Sequence, residues 1–102
     1  MYELKPEPQF KKDYQKLKRT HPELMDDLFE TLGQLQVKGF VNPEYHPHIL
    51  VNRGGNYTGY YEYHLSDGKV DVLVIYMPHK TNPQIRLVRV GSHGELFHSE
   101  LK

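Results

Sequence analysis

Apolar residues along the chain keep a helical period over roughly the first forty positions and an alternating or continuous pattern from about residue 57 onward. Phe10, Tyr14 and Leu17 recur at helical spacing, and Pro8 suits a first turn, where its missing N–H is not needed; a helix over 8–19 is expected. Leu24, Leu28, Leu32 and Leu35 form a second stripe, widened by Met25 and Phe29, which predicts a helix over 21–38 with Gly39 as its C-cap. Thr20-His21-Pro22-Glu23 between the two reads as a capping box. So short a connection predicts an antiparallel helical hairpin whose stripes need an apolar surface to cover. Ahead of it, Tyr2-Glu3-Leu4 alternates as a short strand would, and Pro6 and Pro8 end it.

The second half supplies the surface. Residues 57–65 are rich in aromatics, 70–77 form a near-continuous apolar run, and 85–90 make a further strand. Asp67-Gly68 is a hairpin turn signal, and Pro78 with Asn82-Pro83 brackets a second turn. Residues 40–57 lack periodicity and carry the loop signals Asn42-Pro43, His46-Pro47 and Asn52-Arg53-Gly54-Gly55-Asn56. The expected fold class is α+β: a small antiparallel β-sheet, made of a three-stranded meander plus the short N-terminal strand, with the helical hairpin packed on one face. At 102 residues, a single domain over 1–102 is expected.

Composition narrows the classes. A hydrophobic share of 37% with 25% charged residues suits a folded chain rather than a disordered one. No apolar run approaches the roughly 20 residues of a membrane span, and the N-terminus does not read as a signal peptide. The absence of cysteine excludes disulfides and thiolate metal sites. A cytoplasmic protein with no membrane partner is expected. The 13 basic residues balance the 13 acidic ones, which argues against a strongly nonspecific nucleic-acid binder. The balance conceals a basic stretch (Lys11, Lys12, Lys16, Lys18 and Arg19) beside an acidic one (Glu23, Asp26, Asp27 and Glu30). These are either two solvated helix faces or, for the first, a phosphate-facing surface.

The candidate chemistry lies in the second half. His46 sits in a loop, His64 ends the first meander strand, Asp71 starts the next, and His93 follows the last. Alternation puts His64 on one strand face with Glu62, Tyr60 and Thr58. Imidazoles with a carboxylate suit general acid–base catalysis, because a histidine of ordinary pKa, about 6.5, either accepts or donates a proton near neutrality. RNA cleavage divides its work in that way: a base takes the ribose 2′-OH proton, the oxygen attacks the adjacent phosphorus, and an acid protonates the departing 5′-oxygen. Arg89 or Arg86 is a candidate for stabilising charge on phosphorus. Tyrosines such as Tyr60 either stack on splayed bases or serve the core. His21 and His98 read as structural or surface residues. His46-Pro47-His48 invites a metal, yet its spacing matches no strong zinc signature, so neither a metal nor another cofactor is expected.

The order His46-Pro47, Gly59-Tyr60-x-Glu62-x-His64, Asp71-x4-Tyr76 and Arg89-x-Gly91-Ser92-His93-x2-Leu96-Phe97 resembles the YafQ-type toxins of the RelE/ParE superfamily. The likeness spans nearly the whole chain, and its C-terminal block is the most specific part. It implies a bacterial type II toxin. Such a protein is an endoribonuclease, or mRNA interferase, that cuts mRNA in the ribosomal A site without a metal and thereby inhibits translation. Its partners would be a cognate antitoxin, the 70S ribosome and mRNA, with operator DNA reached only through the antitoxin complex. The resemblance implies catalytic roles for His46, His64, Asp71 and His93, with His93 as general acid, and a substrate-positioning role for Phe97. The base stays open among His46, His64 and Asp71. The His64–Asp71 hairpin is longer than usual in the family, so Asp67 competes with Asp71 for the carboxylate role. Alternative readings are a catalytically weak relative acting through antitoxin and operator binding, or a gyrase inhibitor; the histidine set favours the nuclease.

Overall fold

In the computed structural model, residues 1–51, 59–68 and 70–97 are described, with Leu50, Val51, Asp67, Gly68, His93 and Phe97 as backbone only. The start of the strand expected at 57–65, the Gly54-Gly55 turn and His98 lie outside the described residues.

The elements follow in the order β1 (Glu3–Pro6), α1 (Pro8–Thr20), α2 (Met25–Lys38), β2 (His48–Val51), β3 (Tyr60–His64), β4 (Leu73–Pro78), β5 (Gln84–Gly91) and α3 (His93–Phe97). Single 3-10 turns precede α2 (Pro22–Leu24), precede β2 (Pro43–Tyr45) and follow β3 (Leu65–Gly68). One five-stranded sheet runs β1-β5-β4-β3-β2. β1 pairs parallel with β5 and the other neighbours are antiparallel. The expected meander is therefore β3-β4-β5, and the N-terminal strand extends it as an edge, where a terminal proline is tolerated. The sheet holds one strand more than expected: β2 adds to the opposite edge from a stretch whose sequence reads as loop.

The helices bury one sheet face. Phe10 and Leu17 of α1, with Leu24, Met25, Leu28 and Leu35, pack on Tyr63, Val74, Tyr76, Ile85, Leu87 and Val90. Phe29, expected in the α2 stripe, is 54% exposed, and Thr31 is buried in its place. The Thr31 hydroxyl tolerates this because it donates to the Asp27 and Leu28 carbonyls and accepts from Tyr63 Oη at 2.8 Å. The capping box expected at Thr20 does not form; that hydroxyl turns back to the Lys16 carbonyl. Gly39 does end α2, in the left-handed region at φ 84°.

The opposite face carries a smaller core of Tyr60, Leu73, Ile75, Met77 and Val88, to which α3 contributes Leu96. β4 is thus buried on both faces, which explains its near-continuous apolar run. The β3–β4 connection is not a two-residue turn at Asp67-Gly68. Leu65 N–H donates to the Val72 carbonyl at 2.9 Å, and the loop turns through Ser66 at φ 51°.

Candidate functional site

Register assembles the site on the second face. His48 pairs with Glu62 across β2–β3, and Glu62 pairs with Ile75 across β3–β4, so the three side chains project to one side. Tyr60, Glu62 and His64 share that side by alternation. The result is a buried carboxylate with an imidazole to each side. His48 Nε2 lies 3.2 Å and His64 Nε2 3.5 Å from the same atom, Glu62 Oε2. The Glu62 side chain is 4% exposed, against 51% for His48 and 23% for His64, so the carboxylate is floor and the imidazoles are rim. A carboxylate buried this deeply needs opposite charge or hydrogen-bond donors around it.

His46 joins from the preceding turn. Its ring stands edge-on to that of His64 at a centroid separation of 6.1 Å, while the His48 ring stacks on His64 at the same separation. His46 adopts φ 52°, a left-handed conformation that is costly for a residue with a Cβ, and its N–H donates to the Pro43 carbonyl at 2.9 Å. Its own carbonyl accepts from His48 Nδ1 at 3.0 Å. His48 thereby presents its second nitrogen to Glu62 in a fixed orientation.

Leu73 pairs with His64 on one side and Gly91 on the other, so Gly91 lies two strand spacings, about 10 Å, from His64. His93 begins α3 two residues further on. This turn is where a capping box does form: Ser92 N–H donates to Glu95 Oε1 at 3.1 Å and Glu95 N–H to Ser92 Oγ at 3.2 Å. Glu95 is also tied to Lys16 of α1. The turn carrying His93 is therefore clamped to the first helix, while the side chains of His93 and Phe97 lie outside what is described.

The other expected residues are placed as follows. Arg89 is held by Asp13 of α1, its Nε donating to Oδ2 at 2.6 Å, and both side chains are largely buried. Arg86 pairs with Glu7 at 2.9 Å. Tyr60 is 8% exposed and forms part of the second-face core. Asp71 lines a cavity of about 480 Å³ shared with Asp13, Lys16, Ser92 and Glu95. Glu62 is a carboxylate in contact with both the His48 and His64 imidazoles. Alternation had set Glu62 beside His64, but an acid in a tyrosine-rich strand gives no sign in sequence that it is buried. In sequence, His48 reads only as a loop neighbour of His46, because β2 is not expected.

A five-stranded sheet with a helical hairpin packed on one face is a RelE-like fold. The sequence matches the family model for the bacterial toxin of the type II toxin-antitoxin system, YafQ, over residues 2–98, and the chain belongs to that family. Among solved structures it is similar to a metal-bound toxin from Helicobacter pylori, at 32% identity and TM-score 0.75 over 95% of this chain and 100% of that one. A histidine-to-glutamine mutant of YafQ from E. coli is 23% identical, with TM-score 0.72 over 95% and 99%. The archaeal RelE in a RelE–RelB complex from Pyrococcus horikoshii is 18% identical, with TM-score 0.69 over 91% and 96%. No curated protein matches the sequence.

Proposed function

We propose that the chain is a ribosome-dependent mRNA endonuclease, cytoplasmic and silenced by a cognate antitoxin, which inhibits translation by cutting mRNA in the A site. Family membership supports the toxin class. The observation that carries the catalytic reading is the buried Glu62 carboxylate facing both the His48 and His64 imidazoles. In this reading Glu62 orients the His64 imidazole, which takes the 2′-OH proton as the general base. The 2′-oxygen then attacks phosphorus, forming a 2′,3′-cyclic phosphate as the bond to the 5′-oxygen breaks, and His93 gives that oxygen its proton. His46 and His48 flank the reacting phosphate, Arg89 offsets its charge from the Asp13 anchor, and Phe97 positions the base. Asp71, on the cavity beside the α3 turn, acts from that side, with Asp67 as its rival. The antitoxin of the DinJ–YafQ and RelE–RelB complexes supports a protein partner of that kind here, with operator DNA reached only through it.

Primer extension on translated mRNA after induction tests the reading. New 5′ ends should appear with the wild type and vanish with His93→Ala and His64→Ala. Growth arrest without new mRNA ends contradicts it.

A further inference from the structure

Given the cleavage reaction proposed above, on which this inference rests, we propose that Glu95, tied to Lys16 of α1, is a positioning residue that fixes the turn presenting His93 to the departing 5′-oxygen. His93 opens α3, and a helix of five residues is too short for its own backbone hydrogen bonds to hold its start in place. The Glu95 carboxylate supplies the hold. Its Oε1 accepts from the Ser92 N–H at 3.1 Å, its Oε2 accepts from Lys16 Nζ, and the Glu95 N–H returns to Ser92 Oγ at 3.2 Å. His93 and Gly94 are the two residues that this box encloses. A Cβ on Gly94 would meet nothing within 4 Å, so among the described residues the box, not packing, holds the turn there.

Lys16 connects this hold to the scaffold. It follows Asp13 by one helical turn, so the two share a face of α1. Asp13 accepts from Arg89 Nε at 2.6 Å and from the Val90 N–H at 3.2 Å, while Lys16 meets Glu95. α1 therefore grips the chain on both sides of Gly91. Gly91 lets the turn come this close, since a Cβ there would stand 3.3 Å from Glu95 Oε1 and 3.4 Å from Leu96 Cδ2. Leu96 is fully buried and pins the far end of α3 to the second-face core, which leaves Glu95 as the tether of the near end. Lys16, and then the Ser92 N–H, hold the Glu95 carboxyl at a pKa of about 2, so it stays a carboxylate wherever histidines titrate and moves no proton itself. Both partners of the Lys16–Glu95 pair are about half exposed, so its loss should leave the fold intact. What it should not leave intact is the aim of the general acid, because a misplacement of about 1 Å costs on the order of 10²-fold in rate.

The test joins amide hydrogen exchange of the full chain to single-turnover cleavage of mRNA at saturating ribosomes. Lys16→Met and Glu95→Ala should each speed exchange at the Ser92 amide by about fivefold or more. Cleavage should slow by about 10²-fold in Glu95→Ala and about tenfold in Lys16→Met, with ribosome affinity unchanged, and Lys16→Arg should restore the rate. A second mRNA carries sulfur in place of the 5′-bridging oxygen at the cleaved bond. There the 2′-oxygen attacks phosphorus, the P–S bond breaks, and sulfur leaves with the electron pair as a thiolate that needs no proton from an acid. On that substrate Glu95→Ala, Lys16→Met and His93→Ala should all return to within about threefold of the wild type. Variants slowed equally on both substrates would show general loosening of the site and overturn the proposal, as would an unchanged Ser92 exchange rate. A His93→Ala defect that sulfur does not relieve removes the acid role of His93 and the proposal with it. Weakened ribosome binding with an unchanged cleavage rate in Lys16→Met makes Lys16 an RNA contact and overturns its part. Wild type that cuts neither substrate contradicts the nuclease reading, and exchange at Ser92 then still decides whether Glu95 holds the turn.

Discussion

Tyr63 shows how a polar group is accommodated at the centre of this small core. Its phenol is fully buried, and burial pushes its pKa well above the ordinary value, so it remains an O–H donor to Thr31. Thr31 in turn satisfies two α2 carbonyls. Tyr63→Phe removes one donor while Thr31 keeps its backbone partners, so chemical denaturation should show a loss of about 1 kcal/mol. Glu62 is the polar counterpart on the other face. Its shared face with His64 was legible from alternation alone. Its burial was not, since that depends on β2 closing the edge and on the core of Tyr60 and Ile75 beside it.

Individual elements divide sharply in how far their sequence foretells them. Gly39 was legible as the α2 cap, and the structure adds a second constraint on it. A Cβ there meets the Tyr2 ring at 2.5 Å, on top of the left-handed φ. Gly39→Ala should therefore cost about 1–3 kcal/mol, read as a lowered melting temperature. A capping box is expected from sequence at Thr20, where none forms, and not at Ser92, where one does. Thr20-x-x-Glu23 and Ser92-x-x-Glu95 have the same pattern, and only the second closes, because β5 delivers Ser92 directly into α3 while Pro22 starts a 3-10 turn. Lys16, and then the Ser92 N–H, hold the Glu95 carboxyl at a pKa of about 2. With the folded value below the unfolded one, this contribution is present above the ordinary carboxylate pKa, about 4.3, and is lost as pH falls toward 2. The melting-temperature gap between wild type and Glu95→Gln should narrow over that window. Added salt should shrink it, because both partners are substantially exposed.

At the scale of the molecule, the helical hairpin and the meander could be read from periodicity because each buries a whole stripe or strand. The strand β2 could not. It is four residues long, its register shifts between Ile49 and Val51, and the stretch around it has no period. That one edge strand brings His48 to Glu62, so the site was only half visible beforehand: His46 and His64 were expected in it, while Glu62 was placed on the His64 face without a role there. Asp13–Arg89 and Lys16–Glu95 link α1 to the end of β5 and to α3, joining the scaffold face to the face that holds the imidazoles. The central claim is that Glu62 and His64 act together as the base in mRNA cleavage. It is tested most directly by single-turnover cleavage of ribosome-bound mRNA by wild type and Glu62→Gln, a change that keeps the shape and removes the charge. The predicted result is a 2′,3′-cyclic phosphate product from the wild type and a rate lower by about 10²-fold or more in the variant, with ribosome binding retained. A Glu62→Gln rate equal to that of the wild type would contradict it.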